Sequence, residues 1–219
     1  MEQPAPIPTR SLLFAGGNIS DIAAIPDHDI VIAADSGYDL ARQKGIDVDV
    51  LIGDLDSISA EGLTHAETTG VHIHRFDIDK DATDFELALV AAQDLGVTSV
   101  DIYGGEGGSL GHFIGITTGI TAQRWRHLAI EWHMGTRSLY PVHPKQPLRL
   151  DAPQGSSLTI IPIGDTRGVS ATGVRWPLVD EQLPRGTSRG LSNVVVETTQ
   201  TICLDQGTLL VIVEGQDPQ

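Results

Sequence analysis

The chain has 219 residues, 40% of them hydrophobic, enough for one large domain or two small ones, each with its own core. Its formal charge of −15 and pI near 4.7 exclude a broad basic surface for nucleic acid or an anionic membrane. A single cysteine, Cys203, excludes an internal disulfide; within an apolar run it reads as an inert buried thiol, suited to a reducing cytoplasm.

Met1 to Arg10 carries three prolines and no long apolar core, so positions 1–10 read as a flexible tail rather than a signal peptide. No run approaches the roughly 20 apolar residues that span a bilayer. From Ser11 onward short apolar runs alternate with helical patterns. Ser11 to Ala15, Ile30 to Ala34, Val50 to Ile52, Val71 to Phe76, Ser99 to Tyr103 and Leu128 to Trp132 read as strands, with helices over Gly37 to Lys44, Asp84 to Leu95 and His112 to Arg124. Such alternation predicts an α/β domain over 11–138, with a mostly parallel sheet flanked by helices and ligands at the carboxyl ends of its strands.

Three prolines and polar residues over Thr136 to Pro147 break that rhythm and read as a boundary. Beyond it, Leu148 to Leu150, Ser157 to Ile161, Val169 to Thr172, Asn193 to Thr198, Thr201 to Leu204 and Leu209 to Val213 read as strands between Pro and Gly turns. This predicts an all-β sandwich over 139–219.

Three segments carry candidate chemistry. Val50 to Ser57 is an apolar strand that delivers Asp54 and Asp56 into a turn; at i and i+2 they point to the same side, where they suit a hard cation such as Mg2+ or form an acidic, solvated turn. Asp77 to Glu86 sets five acidic residues around Lys80 at a helix entrance. There Thr83 and Glu86 have capping-box spacing, Asp81 and Asp84 are neighbours at i and i+3, and Lys80 beside free helix amides suits phosphate. Tyr103 to His112 is a glycine-rich turn whose amides suit anionic oxygens, but it matches neither the Walker A loop nor Gly-x-Gly-x-x-Gly. His112 suits a phosphate contact or a plain surface position.

In the second half, Gly173 to Leu178 and Ser188 to Asn193 stand out. Trp176 suits stacking on a flat heteroaromatic ring, with Ser or Asn fixing its polar edge, or else filling the sandwich core beside an ordinary turn. His72 and His74 alternate on a strand and lack a third soft ligand nearby, which favours a surface role.

Together these segments resemble the thiamine pyrophosphokinase family, from about Ser11 to Val213. Gly53-Asp54-Leu55-Asp56-Ser57 is similar to its Gly-Asp-Phe-Asp-Ser element, Lys80-Asp81-Ala82-Thr83-Asp84 to its Lys-Asp-x-Thr-Asp helix entrance, and Gly173 to Leu178 with Ser188 to Asn193 to its thiamine-side signature. The resemblance implies pyrophosphoryl transfer from ATP to thiamine, Mg2+ as cofactor, and a homodimer with active sites at the subunit interface. It implies Asp54, Asp56, Asp81 and Asp84 as metal ligands, with Asp54, Asp56 and Asp84 catalytic and Asp54 or Asp84 accepting the hydroxyl proton. Asp35, Lys80, Asp81, Thr83 and His112 fall to the nucleotide, and Trp176, Ser192 and Asn193 to thiamine. One segment departs from the pattern: Gly107-Gly108-Ser109-Leu110-Gly111-His112 stands where the family has Gly-Gly-Arg-x-Asp-His, and Ile116 where it often has Asn. Two alternatives follow: a catalytically impaired member that binds a nucleotide or thiamine-type ligand, and a haloacid-dehalogenase-like phosphatase, which also ends a strand in Asp-x-Asp.

Overall fold

A computed structural model describes residues 9–20, 22, 24–107 and 109–215. The expected tail lies outside the described residues up to position 8, and Gly108 of the glycine-rich turn lies outside them too. The chain forms two compact units, Met1–Ile116 with Leu128–Ile130, and Thr117–His127 with Glu131–Gln219.

In chain order the elements are β1 (Arg10–Ala15), β2 (Ile30–Ala34), α1 (Gly37–Gln43), β3 (Val50–Gly53), α2 (Ala60–Thr68), β4 (His72–Arg75), α3 (Asp84–Asp94), β5 (Ser99–Gly104) and α4 (Leu110–Gly119). There follow β6 (Ala129–Met134), β7 (Arg137–Val142), β8 (Leu148–Leu150), β9 (Ser157–Pro162), β10 (Thr166–Thr172), β11 (Leu178–Leu183), β12 (Asn193–Val194), β13 (Gln200–Cys203) and β14 (Leu209–Glu214).

Within the first unit the strand order is β5-β1-β2-β3-β4, every pairing parallel. Both faces are covered, which is why these strands are near-continuous apolar runs. Leu12, Phe14, Val31, Ala33 and Leu51 pack with Tyr38 and Ala41 of α1 and Ala66 of α2. Leu13, Ile32 and Ile52 alternate to the other side, and α3 lies on these strands with Phe85, Ala88, Leu89 and Ala92 buried. A Cβ at Gly37 would stand 2.0 Å from the Phe14 carbonyl oxygen, so only glycine lets α1 begin that close to β1. The parallel register brings the ends of β2 and β3 level: Ala34 pairs with Ile52, and the Asp35 amide donates to the Ile52 carbonyl (2.8 Å).

The second unit is antiparallel. Strands β12-β9-β14-β7-β6 form one layer and β11-β10-β13-β8 the other. Leu158 and Ile160 of β9, Val211 of β14, Val169 and Ala171 of β10 and Ile202 of β13 interleave in one core, the predicted sandwich. Cys203 is half-buried rather than buried.

Several expectations are corrected. The segment 136–147, read as breaking the strand rhythm, contains β7, which forms a hairpin with β6 through Gly135 at φ 61. Its Pro141 lies past the last described pairing with β6, Trp132 with Leu139, where no ladder donor is demanded. Helix α4 runs from Leu110 to Gly119, not from His112 to Arg124, and α2 and β11 were not expected. The strand expected over Asn193 to Thr198 shrinks to two residues. Among the described residues no helix is long and apolar enough to cross a membrane.

Candidate active site

Adjacent strands β2 and β3 deliver Asp35 and Asp54 at their carboxyl ends, and the first turn of α3 supplies Asp84. One carboxylate oxygen from each lies within 4.8 Å of the other two. The backbone is shaped for this convergence. Asp35 (φ 47) and Leu55 (φ 64) hold left-handed conformations that L-residues rarely adopt, and Gly53 has φ 149. A Cβ at Gly53 would stand 3.0 Å from Asp84 Oδ1 and 3.2 Å from Asp35 Cβ.

Lys80 closes the cluster. Its Nζ donates to Asp54 Oδ2 at 2.7 Å and sits 3.0 Å from Asp84 Oδ1, an ion pair between i and i+4 lying off the hydrogen-bonding direction. The Lys80 hydrogen bond, outweighing partial desolvation, lowers the Asp54 pKa. Burial works against the Lys80 ammonium, but Asp54 and Asp84 prevail and raise its pKa. Asp35 moves upward: burial is the main cause, partly offset by the hydrogen bond from the Ser57 hydroxyl and reinforced by Asp84, Asp56 and Asp54.

Among the described residues Asp35 Oδ1 is buried without a hydrogen-bond partner, and the buried Asp84 Oδ1 is met by the Lys80 ammonium at 3.0 Å. A buried carboxylate oxygen left unpaired, as Asp35 Oδ1 is, is costly, and hard oxygen donors this close suit a divalent cation such as Mg2+. Asp35, Asp54 and Asp84 would hold it.

Asp56 and Asp81 are exposed and fall outside the group of carboxylate oxygens lying within 4.8 Å of one another, although the Asp56 charge reaches Asp35. The Asp56 amide donates to Asp54 Oδ1 (3.2 Å), fixing the turn. Thr83 caps α3, its hydroxyl oxygen accepting from the Glu86 amide (3.2 Å). His112 is exposed on the first turn of α4, and His72 and His74 are exposed on β4. Neither Ser57 nor Gly53 was singled out as a site residue; both abut Asp35, and the signal was their place beside a strand-end carboxylate.

In the second unit Trp176 is 51% exposed, which removes the core-filling alternative. Ser192 is exposed at φ 53, with its amide donating to Thr159 Oγ1 (3.0 Å). Asn193 is buried, and its carboxamide bonds to the Trp176 backbone.

Comparison with known proteins decides the family. The model described as "Thiamin pyrophosphokinase, catalytic domain" matches residues 23–130, and "Thiamin pyrophosphokinase, vitamin B1 binding domain" matches residues 145–209. The chain belongs to the thiamine pyrophosphokinase family. The thiamine pyrophosphokinase of Bacillus subtilis (strain 168) is 26% identical over 213 residues, covering 91% of this chain and 96% of the relative. Among solved structures, thiamine pyrophosphokinase from Bacillus subtilis shares the fold at a TM-score of 0.82 and 23% identity, covering 95% of this chain and 100% of that one. The enzyme from Candida albicans does so at 0.77 and 12% identity, covering 95% and 90%. The carboxylate cluster and Lys80 lie inside the segment matched as the family's catalytic domain, and Trp176, Ser192 and Asn193 inside the vitamin B1 segment.

Proposed function

We propose that this chain transfers the pyrophosphoryl group of ATP to the hydroxyl of thiamine, giving thiamine diphosphate and AMP. The observation that carries the reading is the convergence of Asp35, Asp54 and Asp84 around Lys80 in the matched catalytic segment. In the reaction the hydroxyl oxygen bonds to the β-phosphorus as the bond from that phosphorus to the α-phosphate oxygen breaks; AMP leaves with that oxygen, and the hydroxyl proton goes to a carboxylate. Such transfers depend on positioning and on neutralising charge. Mg2+ is the cofactor, and when bound it offsets the negative charge of the polyphosphate. Asp54 or Asp84 accepts that proton, and both carboxylates face the Lys80 ammonium, Asp54 through a hydrogen bond and Asp84 through an ion pair. Lys80 keeps Asp54 ionised and orients both carboxylates before substrate arrives.

On the thiamine side Trp176 offers an exposed ring and Ser192 an exposed hydroxyl. The active form in this reading is a cytoplasmic homodimer. Supporting the dimer is α4, an apolar helix with no buried residue, whose Leu110 and Ile114 are 71% and 51% exposed. The family assignment sets aside the phosphatase alternative.

Purified protein incubated with thiamine, ATP and Mg2+ is expected to release AMP and thiamine diphosphate in equal amounts by chromatography. Release of ADP, or of phosphate from a phosphoester without thiamine, refutes the reading.

A further inference from the structure

Asn193 makes an unusual use of its side chain. Its Oδ1 accepts from the Trp176 amide (3.0 Å) and the Val194 amide (2.9 Å), while its Nδ2 donates to the Trp176 carbonyl (2.7 Å). One carboxamide therefore satisfies both backbone polar groups of Trp176, using both acceptor positions and one of its two donors. The side chain sits where water does not compete, since Asn193 is 5% exposed. Around it the strands are tied as well: the Arg175 amide donates to the Val194 carbonyl (2.9 Å), and Val174 bridges to Val195. Pro177 follows and disfavours helical backbone at Trp176.

The ring carried by this pinned backbone faces water. Trp176 is 51% exposed, whereas Trp125 and Trp132 are 2% and 0%. Burying polar groups to hold an aromatic ring outward gives the fold little, but it removes the ordering cost of binding a flat partner. We propose that Asn193 is a positioning residue, a carboxamide clamp that fixes the Trp176 ring for the substrate's heteroaromatic ring, and makes no substrate contact of its own. This rests on Trp176 serving the thiamine side. It reassigns Asn193 from binding residue to support.

The discriminating variant is Asn193→Asp, which keeps the acceptor but sets a carboxylate against the Trp176 carbonyl. The KM for thiamine is expected to rise about tenfold or more, as for a buried hydrogen bond turned into a clash. The KM for ATP and kcat are expected to stay within about twofold, the pattern of lost ground-state positioning. Acrylamide-quenchable emission isolates Trp176 from its two buried counterparts, and its anisotropy should fall in the variant. In a Trp176→Ala background Asn193→Asp should add no further loss in thiamine KM. An unchanged thiamine KM and anisotropy, or a full additional loss in that background, overturns the clamp. If Asn193→Asp does not fold, the native protein decides by NMR. The Asn193 carboxamide protons should exchange slowly and show no contact to thiamine while the Trp176 indole shifts; a direct thiamine contact overturns the proposal. If native protein neither binds nor converts thiamine, the functional reading falls, and the anisotropy result alone judges the clamp.

Discussion

Lys80 bonds to Asp54 at 2.7 Å and pairs with Asp84 at 3.0 Å, so one ammonium bridges carboxylates delivered by a strand end and by a helix start. Its side chain is mostly buried, and so is that of Asp54. Lys80→Met removes the bridge with little change in length. Asp54, no longer held down by the Lys80 hydrogen bond, regains a higher pKa, so the acid limb of the rate profile should move to higher pH. At neutral pH kcat/KM should fall at least about tenfold. Lys80→Arg restores charge but spreads it over a planar fork, and should recover only part of the loss. A pH–rate profile of the three proteins checks this.

Asp35 predicts an opposition between stability and activity. Its folded pKa is raised above the unfolded value of 3.8, chiefly by burial, so the ionised form is disfavoured in the fold at neutral pH. That penalty is present above the folded pKa and disappears once the pH falls below the unfolded one. Asp35→Asn should therefore raise Tm at pH 7, with the gain shrinking toward pH 4, while activity drops. Thermal melts at the two pH values test the sign.

Gly53→Ala places a methyl 3.0 Å from Asp84 Oδ1 at a positive φ. It should cost about 1–3 kcal/mol of stability and lower kcat more than it raises the KM for thiamine, because Asp35 and Asp84 must part to admit it. Denaturant unfolding and steady-state kinetics separate the two effects.

His143 lies in the second unit, 3% exposed, with Nε2 lacking a hydrogen-bond partner among the described residues and Nδ1 3.4 Å from Thr208 Oγ1. Burial, with help from Arg126, lowers its pKa below 6.5. The unfolded chain therefore takes up a proton first on acidification, and stability present above pH 6.5 is lost as the pH falls toward the folded pKa. His143→Gln should flatten the decline in Tm between pH 7.5 and pH 5.5, as read by melts across that range.

The sequence made the parallel strands legible because both faces are buried, which turns Leu12 to Ala15 and Ile30 to Ala34 into unbroken apolar runs. It hid α2, since Ala60–Thr68 buries only Gly62 and Ala66 and offers no apolar stripe. It hid β7 behind Pro141, and β11 because Leu178–Leu183 buries little beyond its two ends. At the site, Asp54, Lys80 and Asp84 were visible as strand-end and helix-entrance charges. The place of Asp35 beside them was not, because it follows from β2 pairing with β3, a fact of sheet order rather than local sequence. Likewise i, i+2 spacing put Asp56 with Asp54, but the left-handed Leu55 between them breaks the extended geometry that the argument needed.

The cluster itself is the central claim, and turnover by Asp84→Asn tests it most directly. The exchange preserves size and leaves the Thr83 cap of α3 in place. With thiamine, ATP and Mg2+ supplied, the account predicts that AMP and thiamine diphosphate formation falls by at least about a hundredfold, with Tm no lower than in the native protein. Turnover within about threefold of native, well short of the loss expected when transition-state charge stabilisation is removed, would contradict it.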